Sequence, residues 1–189
     1  SDLPKVLHTV GGRTLVEHVL RTGAAIAPVR QVVITGHEAA AVEATVTALG
    51  LPNIHFARQA EQLGTGHATL QAGAVLADFT GHAFILMGDC PLVQPAHLQA
   101  MLAAHQSQQA AVTLLSVHTT TPHGLGRIIR DATGNFLRIV EEKDADAATK
   151  LIQEINTNIY VVNCPDVFGY LQQLKTNNAQ KEYYLTDII

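Results

Sequence analysis

Hydrophobic positions change period along the chain, and each change marks an element. Residues 31–35, 82–87, 111–117 and 159–162 are short, nearly continuous apolar runs. Runs of that kind read as strands buried on both faces, the habit of parallel sheets. Helical spacing fills the intervals. Leu98, Met101, Leu102 and His105 fall at i, i+3, i+4 and i+7; Val42, Val46 and Leu49 do likewise, with Gly50 where a C′ glycine belongs. Leu15, Val16, Val19 and Leu20 form another stripe, as do Val167, Phe168, Leu171 and Leu174 behind Pro165, a good first helical residue. Strand and helix alternate to about residue 118. That alternation predicts stacked βαβ units: an α/β, three-layer, doubly wound and mostly parallel sheet.

The rhythm then breaks. Residues 127–130 and 136–140 flank Asp131-Ala132-Thr133-Gly134, turn residues that suit a short hairpin. This is read as an antiparallel excursion from the main sheet. Ligands of open α/β sheets sit beyond the carboxyl ends of the strands, so chemistry is expected in the loops after residues 34, 57, 87 and 162.

Composition narrows the classes. In 189 residues, 47% are hydrophobic and 15% charged, with a net charge of −4, which suits one domain with a real core and excludes disorder. No apolar run approaches the ~18 residues of a membrane span. Mild acidity argues against a broad nucleic-acid-binding face. No signal peptide opens the chain, and two cysteines, Cys90 and Cys164, make no disulfide framework, so a reducing cytoplasm is expected. The chain begins at Ser1 without a methionine, as expected of a piece of a longer protein.

Five stretches carry candidate chemistry. Gln59-Ala60-Glu61-Gln62-Leu63-Gly64-Thr65-Gly66-His67-Ala68 follows a short strand and opens a helix. Its glycines permit close backbone approach to a ligand, while Thr65 serves equally as a plain N-cap. Met87-Gly88-Asp89-Cys90-Pro91 ends the most apolar strand, placing a carboxylate where it can hold a hard cation or cap the next turn. Cys90 with His67 or His97 as base is a weak nucleophile reading. Gly124-Leu125-Gly126-Arg127 lacks the third glycine of a dinucleotide fingerprint. Glu141-Glu142-Lys143-Asp144 reads by default as a solvated charge run, and the asparagines of Glu154-Ile155-Asn156-Thr157-Asn158 as turn formers ahead of the last strand. The ten histidines show no tight metal-ligand spacing.

Taken in order, these pieces resemble the N-terminal uridyltransferase half of the bacterial bifunctional enzymes that make UDP-N-acetylglucosamine. The resemblance runs from Ser1-Asp2-Leu3-Pro4-Lys5 through QAEQLGTGHA at 59–68, GDCP at 88–91, GLGRI at 124–128, IVEEKD at 139–144 and QEIN at 153–156 to NNAQKEYYLTDII at 177–189. It implies one nucleotidyltransferase domain over residues 1–189, with the fold of nucleotide-diphospho-sugar transferases. It further implies that Lys5 contacts phosphate, that Gln59, Gly64 and Thr65 hold uracil, and that Asp89 holds Mg2+. Met87 and Gly88 would line the substrate beside Asp89, and Gly126, Glu141 and Asn156 would surround N-acetylglucosamine. Each of these residues is expected on a loop at a strand end or on the hairpin.

The chain departs from the family at identifiable places. The family's first strand and glycine-rich GxGTRM phosphate loop precede Ser1, a second magnesium-binding asparagine lies past Ile189, and so does the acetyltransferase β-helix through which full-length relatives form homotrimers. Met87 stands where an aromatic residue is common, and Asn158 replaces the glycine of INTG. The implied reaction joins UTP and N-acetylglucosamine 1-phosphate, with neither nucleic acid nor membrane as partner. A related sugar-phosphate nucleotidyltransferase, or a non-catalytic ligand-binding chain, remains the alternative.

Overall fold

The computed structural model describes residues 3–189; Ser1 and Asp2, the start of the first matching motif, lie outside them. A 3-10 turn, Lys5–Leu7, leads to the hairpin β1 (Thr9–Val10) and β2 (Arg13–Thr14) and to helix α1 (Leu15–Ala24). Thr14 caps α1 by accepting the Glu17 N–H at 3.2 Å, and Val16, Val19 and Leu20 turn inward as their spacing requires. Strand β3 (Gln31–Thr35), helix α2 (Ala39–Ala48) and strand β4 (Ile54–Arg58) form a βαβ unit whose strands pair in parallel. Gly50, at φ +62, closes α2 in the left-handed conformation.

The chain continues through α3 (Thr65–Leu70), β5 (Gly81–Ile85), α4 (Pro95–Ser107) and β6 (Val112–His118). The expected antiparallel hairpin follows as β7 (Arg127–Arg130) and β8 (Phe136–Val140). After α5 (Ala147–Lys150) come β9 (Glu154–Cys164), α6 (Asp166–Leu171) and a closing 3-10 turn, Leu185–Ile188. Pro165, the predicted first helical residue, stands just ahead of α6, which begins one residue later, and Leu174 lies past the helix end.

The three-layer α/β architecture is as expected, but among the described residues only β3 and β4 pair in parallel; every pairing in the five-stranded larger sheet is antiparallel, because β9 is interposed between strands of the opposite direction. Strand β9 lies between β5 and β6 and runs antiparallel to both, Ile85 opposite Tyr160 and Val112 opposite Val162. Strands β5 and β6 therefore share one direction. The 159–162 run is buried on both faces, but two-faced burial leaves strand direction open. The reversal moves the ligand end. Ser116, near the carboxyl end of β6, pairs with Asn156 near the start of β9, whereas Cys164 pairs with Gly81 at the start of β5. The loop after residue 162 thus lies away from the ligand-facing edge, and the beginning of β9 takes its place.

Alternate residues of β9 feed two cores. Tyr160, Val162 and Cys164 pack with Val167, Leu171 and Leu185 on one face; Ile159 and Val161 pack with Leu98 and Met101 of α4 on the other. A third cluster, including Leu7, Val16, Leu20, Val33 and Val46, covers β3 and β4. Helices on both faces of the sheet give the three expected layers.

Candidate active site

Three groups of residues lie at strand ends, after β5, after β4 and around the start of β9. The first joins two residues far apart in sequence. Beyond β5 the chain turns at residues 87–90, the Cys90 N–H bonding the Met87 carbonyl at 3.1 Å. Lys5 Nζ donates to Asp89 Oδ2 at 2.5 Å across 84 positions. The bond and the opposite charge raise the Lys5 pKa, so the ammonium stays charged. The Asp89 carboxylate faces Lys5 and, weakly, the Cys90 thiol at 3.8 Å. A Cβ at Gly88 would lie 3.3 Å from Val6 Cγ1, so a small residue lets this turn sit against the Lys5–Leu7 turn. Met87 lines an apolar gap with Val19, Leu86, Val93 and Ile159.

The nucleophile reading of Cys90 gains no support. Burial and the neighbouring Asp89 raise its thiol pKa, which disfavours the thiolate. Its two candidate bases are engaged elsewhere: His67 with Gln59 and Gln71, His97 with the Gln94 N–H.

The second group is the 59–68 stretch. Gln59 Nε2 donates to the Gly64 carbonyl at 3.1 Å and meets His67 Nδ1 at 3.0 Å. A carbonyl only accepts, so the nitrogen is placed and Oε1 is the atom left available. Gly64 has φ +107, and a Cβ there would lie 2.7 Å from the Tyr183 carbonyl oxygen. The glycines admit the chain's own closing segment: Gly66 N–H bonds the Tyr183 carbonyl and Tyr183 N–H the Leu63 carbonyl, each at 2.8 Å. Thr65 is not the cap of α3, since Gly64 holds that position and Thr65 Oγ1 instead accepts the Leu185 N–H at 3.1 Å.

The third group brings Gly126, Glu141 and Asn156 together. The Gly126 carbonyl accepts the Asn156 N–H at 2.9 Å, and a Cβ at Gly126 would stand 3.2 and 3.3 Å from the two Glu141 oxygens. Burial raises the Glu141 pKa, with Asp144 and Asp187 adding repulsion, and Thr186 donates to its Oε1 at 3.3 Å. The 141–144 run is therefore solvated only in its second half, where Lys143 and Asp144 are exposed. Glu141 is half-buried, and Glu142 Oε2 accepts from Arg127 Nη2 at 2.6 Å, Arg127 being 1% exposed. A lone charge at that depth requires such a partner.

Asn156 and Asn158 also depart from expectation. They lie within β9 rather than in a turn before it, where the pairing with β6 shifts register between Leu114 and Ser116. Asn158 takes φ +59, a conformation asparagine tolerates, so the strand bulges instead of ending. Two further members of this group, Tyr160, whose hydroxyl meets the Asn156 amide nitrogen at 2.7 Å, and Thr186, are not singled out by sequence reasoning. Thr186 falls in the closing motif of the family resemblance, whereas Tyr160 reads as one more position of an apolar run and its hydroxyl leaves no trace in that pattern.

Among the described residues no group of three His, Cys, Asp or Glu side chains is placed to hold a metal ion. Asp89 offers one carboxylate in an open turn. That donor set fits magnesium, which commonly takes one or two carboxylates and fills its octahedron with water and phosphate oxygens. No helix among the described residues is long and apolar enough to cross a membrane.

Strand-end loops on a doubly wound sheet, with a paired cation and carboxylate in one of them, define a class, and comparison agrees. The chain belongs to the MobA-like NTP transferase domain family, which matches residues 1–174. Over all 189 residues it is 49% identical to the bifunctional protein GlmU of Cupriavidus taiwanensis and 43% identical to that of Streptococcus gordonii. The chain spans 40% of the length of each of these relatives and corresponds to their N-terminal NTP transferase domain. A structure of UDP-glucose pyrophosphorylase complexed with UDP-glucose superimposes with a TM-score of 0.75, covering 98% of this chain and 77% of that one at 16% identity, a likeness of fold.

Proposed function

We propose that this chain transfers the uridylyl group of UTP to N-acetylglucosamine 1-phosphate, giving UDP-N-acetylglucosamine and pyrophosphate for cell-wall precursor synthesis in the cytoplasm. The observation that carries the reading is that the Lys5–Asp89 pair follows the end of β5 while the Gly126–Glu141–Asn156 group surrounds the start of β9, the strand paired with β5. One group suits phosphate and the other suits a neutral, hydroxyl-rich ring. The GlmU relatives make the same assignment attractive.

An oxygen of the sugar phosphate attacks the α-phosphorus of UTP. A P–O bond forms there as the bond to the β-phosphate bridge breaks, and pyrophosphate leaves with the electron pair. The nucleophile is a phosphate monoester with a second pKa near ~6, already largely dianionic at neutral pH, so no general base is required. Neutralisation of charge and in-line placement are what the protein must supply. Lys5 supplies a permanent cation beside the phosphates. Asp89 would hold Mg2+, which when bound screens phosphate charge. Gln59 Oε1 is free to accept the ring N–H of uracil, on a loop pinned by Gly64 and Thr65. Glu141 accepts from sugar hydroxyl or amide groups beside the Gly126 backbone, and Asn156 closes the same pocket.

Pyrophosphate release from UTP with a panel of sugar 1-phosphates tests the reading. N-acetylglucosamine 1-phosphate is expected to exceed glucose 1-phosphate in kcat/KM by at least about tenfold, the scale of a polar contact or two. Equal rates, or preference for another nucleotide, would reassign the substrate.

A further inference from the structure

Leu98, Met101 and His105 face the sheet from one stripe of α4, and the last of them is a histidine only 1% exposed. The strands beneath it set polar partners on the same face. His82 of β5 stands opposite Asn163 of β9, and Thr113 of β6 stands opposite Val161. His105 Nε2 meets Asn163 Oδ1 at 3.0 Å, and His82 Nδ1 meets the same oxygen at 2.9 Å. Asn163 Nδ2 donates to the Ala110 carbonyl at 3.0 Å, which fixes Oδ1 as the atom between the two rings. The rings stand edge to face, with centroids 5.0 Å apart.

An amide oxygen only accepts, so in neutral rings His82 carries its proton on Nδ1 and His105 on Nε2. His105 Nδ1 then accepts from the Thr113 hydroxyl at 2.8 Å. Both rings have a second tautomer with a partner waiting. With the His105 proton on Nδ1, the Thr113 hydroxyl becomes its acceptor. With the His82 proton on Nε2, water takes it, because His82 is exposed. Three lone pairs then face one space: those of two imidazole nitrogens and one amide oxygen. Bare, that arrangement is repulsive; a cation resolves it.

We propose that His82, His105 and Asn163 bind a divalent transition metal of the Zn2+, Ni2+ and Cu2+ class. Imidazole suits these ions, whereas Mg2+ takes oxygen ligands such as Asp89. Metal–imidazole bonds are ~2.0–2.1 Å, so the nitrogens close by roughly 0.9 Å on the point that Oδ1 now holds, and Oδ1 swings aside as the third ligand. Thr113 then accepts from the free ring nitrogen of His105, the bond that orients a metal-bound histidine. His105 also lies in the last turn of α4, where the carbonyl end of a helix favours positive charge. The exposed His82 is the way in, and water fills the remaining positions. The site joins α4 to the start of β5 and the end of β9, away from Lys5 and Asp89, and it does not depend on the uridylyl-transfer reading.

The test is calorimetric titration of Zn2+ into the whole chain in excess Mg2+, which occupies oxygen sites, comparing the protein with His82→Ala and His55→Ala. His82 and His55 are both exposed, so neither change disturbs the core. One Zn2+ per chain is expected, weakened at least about tenfold in His82→Ala and unchanged in His55→Ala, the scale on which losing a partner of a metal site is felt. Imidazole NMR gives the second readout: Zn2+ should move the His105 proton from Nε2 to Nδ1. Equal affinity in the protein and His82→Ala overturns the proposal. So does a His105 tautomer that stays unchanged at saturation, since the ion would then be held by surface histidines alone.

Discussion

Lys5 and Asp89 meet at 2.5 Å although 84 positions separate them, and the Lys5 side chain is 78% exposed. An ion pair so open to water contributes little to stability, typically ~0.2–1 kcal/mol. Its position at the carboxyl end of β5 is better explained by what it offers a phosphate.

Removing either partner should therefore separate activity from stability. Asp89→Asn and Lys5→Met are each expected to lower turnover by roughly 10²–10³-fold, the usual scale for one preorganised electrostatic group. Thermal midpoints should stay within about 2 °C. Lys5→Met should also tighten Mg2+ at Asp89, since the competing ammonium is gone; calorimetric titration of the metal reads this directly. Unchanged turnover and metal affinity would remove the pair from the site.

Glu141 carries an opposite trade between stability and use. Burial, Asp144 and Asp187 raise its pKa in the folded chain. The folded state thus binds more protons than the unfolded one above the ordinary value of 4.5, and stability falls as pH rises through that window. Glu141→Gln should raise the thermal midpoint at pH 7.5 by about 2–4 °C, with the gain shrinking toward acid pH. The same change should weaken use of the sugar phosphate while KM for UTP holds. A midpoint gain independent of pH would mean that ionisation of Glu141 is not its source.

Arg130 and Glu154 behave in the reverse sense. The guanidinium donates to Glu154 at 2.8 and 2.7 Å, Ser116 adds a bond at 2.7 Å, and the carboxylate is held down to about 2 from 4.5. Protons bind the unfolded chain first as pH drops, so this contribution is whole above about pH 4.5 and is lost on the way to pH 2. Stability curves of the protein and of Glu154→Gln should converge across that interval. Parallel curves would show that the pair adds nothing.

Gly64→Ala tests the loop around Gln59. At φ +107 a side chain is strained, and its Cβ would stand 2.7 Å from the Tyr183 carbonyl oxygen. Strain alone costs about 1–3 kcal/mol, and the collision adds to it. Urea denaturation should show at least that loss, with KM for UTP rising more than KM for the sugar phosphate. A neutral substitution would mean that the closing segment moves aside freely.

The chain's own residues determined its local elements. The stripes of α1, α2 and α4, the glycine that ends α2 and the hairpin about Asp131 rest on neighbours a few positions away. In that hairpin the Asp131 carboxylate accepts the Thr133 and Asn135 N–H groups at 2.9 Å each, a bond pattern a turn sequence carries within itself. Because the fold class follows from alternating elements, it too was legible, as was the rule that sends ligands to strand ends. Tertiary structure alone decided the direction of β9, the burial of Glu141 beside Gly126, the closure of Lys5 on Asp89, and the meeting of His82 and His105 at Asn163. An apolar run records that a strand is buried, not which way its neighbours run, and a side chain's environment depends on residues that the fold brings from far along the chain.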